Sequence, residues 1–159
     1  MKVIFQLSQE ASLIEWLPDQ VYKNEAEAAE VVDFLVSQYA PTPQPDIRPF
    51  VVGVELKETR ELIGHVGLSP LTEGEIEIGY AIAQEATCKG YGTQAMAALS
   101  QWAISDLKLP KIHGIVACEN VGSGRVLEKA GYTLESELDH YYLGKIRPCR
   151  RYFMDSVRS

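Results

Sequence analysis

Cys88-Lys89-Gly90-Tyr91-Gly92-Thr93 lies between a run with strand character and a run with helix character. Before it comes Glu75-Ile76-Glu77-Ile78-Gly79-Tyr80-Ala81-Ile82-Ala83, in which Ile76, Ile78, Tyr80 and Ile82 fall on one face. After it, residues 93–107 read as a helix with Met96, Leu99, Ala103 and Leu107 on one side. The two glycines let the backbone turn sharply and aim several N–H groups outward. A helix start adds its own unpaired N–H groups and the positive end of its dipole. Strand, glycine turn and helix start together make an anion site, usually for phosphate.

Toward the N-terminus, Ser8 is placed to cap a short helix over residues 9–17, stopped near Pro18. Asn24 suits the N-cap of a second helix, with Glu25 and Glu27 in its first turn. Ala28, Val32, Leu35 and Tyr39 share a face of that helix, and Pro41 ends it. Residues 41–46 form a stiff proline loop. Residues 50–56, 61–68 and 75–83 then read as an antiparallel meander.

Toward the C-terminus, Pro110 closes the central helix and residues 111–118 form a strand. Residues 123–130 form a short helix, with Gly131 at its C′ position. Residues 133–143 and 147–154 make a final strand pair. The strand at 75–83, its helix and the strand at 111–118 form a βαβ unit, so these two strands are expected to be parallel. The expected fold class is α/β or α+β: a mixed, mostly antiparallel twisted sheet flanked by helices. A single domain spans 1–159, with a helical acceptor-side region at 1–49 and a cofactor-binding core at 50–154.

A chain of 159 residues, 46% hydrophobic and 23% charged, fits one soluble globular domain. No apolar run approaches the ~20 residues that cross a bilayer, and the first residues do not suit a secretory signal. The expectation is a cytoplasmic protein without membrane association. Cys88, Cys118 and Cys149 are widely spaced, which indicates neither a zinc site nor a disulfide frame. A formal charge of −7 argues against nucleic-acid binding and is compatible with a cationic substrate such as an amine. Monomer and homodimer are both compatible with the sequence.

Gly90-x-Gly92-x-x-Ala95 also fits the dinucleotide pattern, but the acidic residue ending the next strand, Glu119, falls about 25 residues on, not the usual ~20. The preceding meander also lacks the strand–helix alternation of a dinucleotide fold. The surroundings point elsewhere. Ile78-Gly79-Tyr80-Ala81-Ile82 with Lys89-Gly90-Tyr91-Gly92-Thr93-Gln94-Ala95 resembles the acetyl-CoA-binding core of the GCN5-related N-acetyltransferase (GNAT) superfamily. Asn120-Val121-Gly122-Ser123 and Val126-Leu127-Glu128-Lys129-Ala130-Gly131-Tyr132 resemble its second motif. The likeness covers residues 50–154 and is nearest the branch that acetylates ribosomal-protein N-termini and small amines.

This chain departs from the pattern in three places. Thr87 stands where Arg or Gln is usual. Residues 1–39 lack the Arg-Leu-x-Leu-Arg strand of that branch. Leu127 and Ile115 stand where one protein-acetylating branch has its acid tyrosine and a glutamate, so that pair does not carry over.

The resemblance implies direct transfer of acetyl from acetyl-CoA, in a ternary complex, to the amine of a small molecule or protein N-terminus. A catalytically weak coenzyme-A-binding sensor or regulatory module is the alternative. No metal is implied. The amine must lose a proton, the oxyanion needs a donor, and the thiolate needs help to leave. Family architecture would supply the oxyanion donor from the backbone near Ile82 or Ala83. It would seat the pyrophosphate on the loop Cys88, Lys89, Gly90, Tyr91, Gly92 and Thr93. Ser123 would lie by the cofactor sulfur, and Asn120 would contact the pantetheine arm. Read from the residues, Glu75 and Glu77 share the other strand face, where a carboxylate can take the amine proton. His65 lies mid-strand, and Tyr141 or Tyr142 can line the acceptor pocket.

Overall fold

The computed structural model describes residues 1–157. Three helices come first: α1 (Lys2–Ser8), α2 (Ala11–Trp16) and α3 (Glu25–Ser37). Then follow β1 (Phe50–Glu55), β2 (Leu62–Pro70), β3 (Ile76–Ile82), α4 (Tyr91–Ser105), β4 (Lys111–Ala117), α5 (Val121–Lys129), β5 (Thr133–Tyr142) and β6 (Lys145–Asp155). The strands form one sheet in the order β1-β2-β3-β4-β6-β5. Its pairs are antiparallel except β3 with β4, as the βαβ unit requires.

Local chemistry sets most boundaries. Asn24 caps α3 by accepting from the Glu27 N–H at 2.9 Å, and Glu27 reaches back to the Lys23 N–H at 2.6 Å. Gly131, at φ +104°, closes α5 with paired bonds from Gly131 N–H to Glu128 and from Tyr132 N–H to Leu127. Ser8 departs from expectation. It ends α1 instead of capping a helix over 9–17, and its Oγ donates to the Phe5 carbonyl at 2.7 Å. That hydroxyl also accepts from the Tyr22 N–H at 3.3 Å. The helix expected over 9–17 therefore starts only at Ala11 and ends at Trp16, and α1, which was not expected, precedes it.

The two faces of the sheet differ. Val66, Leu68, Ile76, Ile78, Ile112 and Tyr152 are buried against Met96, Leu99 and Ala103 of α4 and Leu127 of α5. Burial on this scale, about 25 cal/mol per Å2 of apolar surface, anchors α4 and α5 to the sheet. Gly114 permits the close approach of α5, since a Cβ there would meet Leu127 Cδ2 at 2.7 Å. The opposite face carries Glu77, Gly79 and Ala81. At its far end Leu7 and Leu13 pack on Ala81, so α1 and α2 cover one corner of that face. Glu10 ties this corner down by accepting from the Gln84 N–H at 2.8 Å.

Candidate active site

The sheet forks at its centre. β3 and β4 are registered at one residue pair, Glu77 with His113, although each strand runs for seven residues. β3 continues past this point with a full antiparallel partner, β2, on its other side, as far as Ile82 opposite Gly64. Backbone N–H groups alternate along a strand. The Ala83 N–H donates to the Ile63 carbonyl at 2.7 Å, which spends it on β2. By alternation, the N–H groups of Tyr80 and Ile82 point the other way, toward the side from which β4 has parted. Of the two expected donors, Ile82 therefore faces the fork and Ala83 does not.

At one end of the fork lies the glycine loop. Gly90, at φ +83°, is the N-cap residue of α4, and no side chain caps this helix start. A Cβ at Gly90 would meet nothing within 4 Å, so glycine serves the backbone conformation and leaves the approach open. Cys88 also has positive φ, +60°, and Cys88, Lys89 and Gly90 are exposed. Tyr91, Gly92 and Thr93, which open the helix, are half-buried. Thr87 is exposed, and its hydroxyl is occupied locally, donating to the Gln84 carbonyl at 2.7 Å. The loop thus offers backbone amides, the helix dipole and Lys89 to an anion.

Two hydroxyls meet across the fork. Tyr80 Oη and Ser123 Oγ are 3.3 Å apart, joining β3 to the first turn of α5. Burial raises the Tyr80 phenol pKa, so the pair stays protonated and able to donate. Gly92 admits the tyrosine ring, since a Cβ there would stand 3.1 Å from Tyr80 Cε2. Asn120, expected at the cofactor, is the N-cap of α5, its Oδ1 accepting from the Ser123 N–H at 3.3 Å. Tyr80 was not singled out from sequence because it continues the Ile-x-Ile-x-Tyr-x-Ile apolar pattern.

The two glutamates have different fates. Glu75 Oε2 binds Arg151 Nη2 at 2.7 Å, and Arg151 Nε also binds Glu135 at 2.9 Å. That hydrogen bond to Arg151 holds the Glu75 carboxyl below the usual range. The Glu75–Arg151–Glu135 group also surrounds buried His113, whose Nε2 lies 3.5 Å from Glu75. Among the described residues Glu77 has no such partner. Burial pushes its pKa up to about 7, with Arg151 pulling weakly the other way. It stands at the fork beside Gly79, where a Cβ would touch nothing within 4 Å. A carboxylate near neutrality beside open space is suited to accept a proton at physiological pH.

His65 lies on the same face, opposite Ala81. Burial drops its pKa to about 4, so it is neutral at pH 7 and a weak base. Tyr142 comes from the far hairpin. Burial raises its phenol pKa, and the charges of Glu77 and Arg147 act on it in opposite directions. Arg147 and Arg151, which converge here from β6, carried no signal in the sequence. They gain meaning only from the register of the last hairpin.

Comparison with known proteins fits this geometry. Residues 1–133 match the family described as the acetyltransferase (GNAT) domain, so the match reaches through the helical region that resembled it least. The uncharacterized N-acetyltransferase YoaA of Bacillus subtilis is 33% identical over 91 residues, 56% of this chain and 51% of that protein. The probable N-acetyltransferase YjcK of Bacillus subtilis is 36% identical over 86 residues, 52% and 48% respectively. The chain spans about half the length of these relatives in the matched stretch. Among solved structures, a GNAT-family acetyltransferase from Bacillus anthracis has a TM-score of 0.81 at 19% identity, covering 98% of this chain and 89% of that one. Spermidine N-acetyltransferase from Vibrio cholerae, in complex with CoA and spermine, has a TM-score of 0.77 at 21% identity, with 98% and 89% covered. A putative ribosomal-protein-serine acetyltransferase from Vibrio cholerae has a TM-score of 0.76 at 19% identity, with 97% and 87% covered. At these identities the structural likeness is one of fold.

Proposed function

Because this chain belongs to the GNAT acetyltransferase family, we propose that it is an acetyl-CoA-dependent N-acetyltransferase acting on a primary amine held beside Glu77. The acceptor is a small molecule or a protein N-terminus, and transfer is direct, in a ternary complex. The observation that carries this is the fork: β3 and β4 part just past Glu77, between an uncapped helix start and a half-buried carboxylate.

The residues present fit the cofactor. The amides from Cys88 to Thr93, with Lys89, suit its pyrophosphate, and the free β3 edge suits the amide-bearing pantetheine arm as an added strand. Bound acetyl-CoA supplies the acetyl group as a thioester, already activated toward amines. Glu77 receives the proton of the incoming ammonium, directly or through water. The Ile82 N–H, turned away from β2 by the β2–β3 pairing, would be the donor to the acetyl oxygen as charge develops on it. Tyr80 and Ser123, whose hydroxyls meet, would be the groups able to donate a proton to the departing sulfur. Glu75 serves differently, as the counter-charge that fixes Arg151.

The test has two arms. A melting scan with acetyl-CoA at ~100 times its dissociation constant adds about 2.7 kcal/mol of stability, or roughly 5–10 °C for this size. Thiol release from acetyl-CoA is then followed over a panel of amines and peptides. The expected result is a shift and acceptor-dependent release. No shift at millimolar ligand overturns the proposal. A shift without turnover on any acceptor replaces the enzyme with a coenzyme-A-binding sensor.

A further inference from the structure

Strand β6 carries three arginines over the face that holds Glu77 or beside it, and two are already committed. Arg150 binds Glu137 at 2.8 Å, and Arg151 binds Glu75 and Glu135. Arg147 is not. Among the described residues no carboxylate pairs with it, and its Nε is shut off from solvent without a hydrogen-bond partner. A half-buried guanidinium with no counter-charge is costly unless something else supplies one to its terminal nitrogens.

Register places this arginine. Glu77 is paired with His113, and His113 with Phe153, so these side chains share one face of the sheet. Alternation along β6 then brings Arg151, Cys149 and Arg147 to the same face. β4 ends at Ala117, opposite Cys149, so Arg147 lies on the part of the hairpin that overhangs β4. Across the hairpin it faces His140, and Tyr142 lies within electrostatic reach of both Arg147 and Glu77. Glu77, Tyr142 and Arg147 therefore share one face of the sheet, on the side where β4 parts from β3.

We propose that Arg147 is the anion-recognising end of the acceptor site, so that the preferred acceptor is an amine that also carries a carboxylate, as an amino acid or short peptide does. The inference rests on the acetyltransferase reading for the amine end. A zwitterion matches the site at both ends: its ammonium meets Glu77, and its carboxylate meets the terminal nitrogens of Arg147. Charge-assisted bonds of that kind are among the stronger polar contacts, and the planar fork of arginine suits a carboxylate. A polyamine would place a second cation where this chain already presents one.

The experiment compares ω-amino acids of increasing length, glycine to aminohexanoate, with the matching alkylamines and with spermidine. Thiol release gives kcat/KM for each, and calorimetry gives binding of each ω-amino acid to the CoA-saturated protein. The expected result is a length optimum, with the amino acid favoured over its alkylamine by about tenfold or more. In Arg147→Ala that ratio falls toward one, chiefly through KM, and Arg147→Lys restores part of it. Carboxylate-dependent binding that is lost in Arg147→Ala, with no turnover of any amine, supports Arg147 and sinks the transferase reading. The inference is overturned if spermidine or the alkylamines are preferred. It is equally overturned if no carboxylate-dependent binding occurs, or if the ratio survives Arg147→Ala.

Discussion

Replacing Glu77 with glutamine tests the centre of the mechanism and separates catalysis from folding. Burial raises the pKa of this carboxyl from 4.5 to about 7. A carboxyl whose pKa is higher folded than unfolded favours the native state most when protonated. Its contribution is complete below the unfolded pKa and is lost as pH rises through the folded one. The difference of roughly 2.5 units corresponds to about 3 kcal/mol at 1.36 kcal/mol per unit. Glutamine keeps the shape and never ionises.

Glu77→Gln is therefore expected to match the parent protein in stability near pH 4.5 and to gain on it steadily up to about pH 7. Above that pH the gain levels off at about 3 kcal/mol, a rise in melting temperature of roughly 6–12 °C. Activity should move the other way. Loss of a general base costs about 10²–10⁴-fold in kcat, and the acid limb of the kcat/KM profile near pH 7 should vanish. Melting curves and thiol-release kinetics from pH 4.5 to 9 check both. A variant that keeps kcat within about threefold, or shows no pH-dependent gain in stability, refutes the assignment of Glu77 as a desolvated base.

Other outcomes follow from the same geometry. Arg151→Gln removes the charge that holds the Glu77 pKa down, so the acid limb of kcat/KM should move to higher pH. An unmoved limb would mean that Arg151 serves the Glu75–Glu135 network alone. Tyr80→Phe breaks the hydroxyl pair with Ser123 and should lower kcat with little change in the KM for acetyl-CoA, measured by steady-state kinetics. Gly114→Ala drives a methyl into Leu127, at 2.7 Å from Cδ2, and should cost about 1–3 kcal/mol in a denaturant melt.

Much of the architecture was legible because its signals are short-range. Asn24 caps within three residues, Gly131 closes its helix over five, and the glycine loop bends within a single turn. Strand alternation likewise showed that Glu75 and Glu77 share a face. Ser8 was misread for the complementary reason. Its hydroxyl serves a contact with Tyr22, fourteen residues away, which no local pattern announces.

The sequence by itself determined the glycine loop at the start of α4, the βαβ unit around it and the pair of carboxylates on one strand face, since each depends on neighbours along the chain. Tertiary structure decided which carboxylate is available. Arg151, seventy-six residues from Glu75, neutralises that group and leaves Glu77 half-buried, with no ion pair among the described residues. It also brought Tyr80 to Ser123 across forty-three residues and parted β3 from β4 beyond a single residue pair. A pKa depends on what desolvates a group and what charge stands near it, and both are set by strands that meet only when the sheet is assembled.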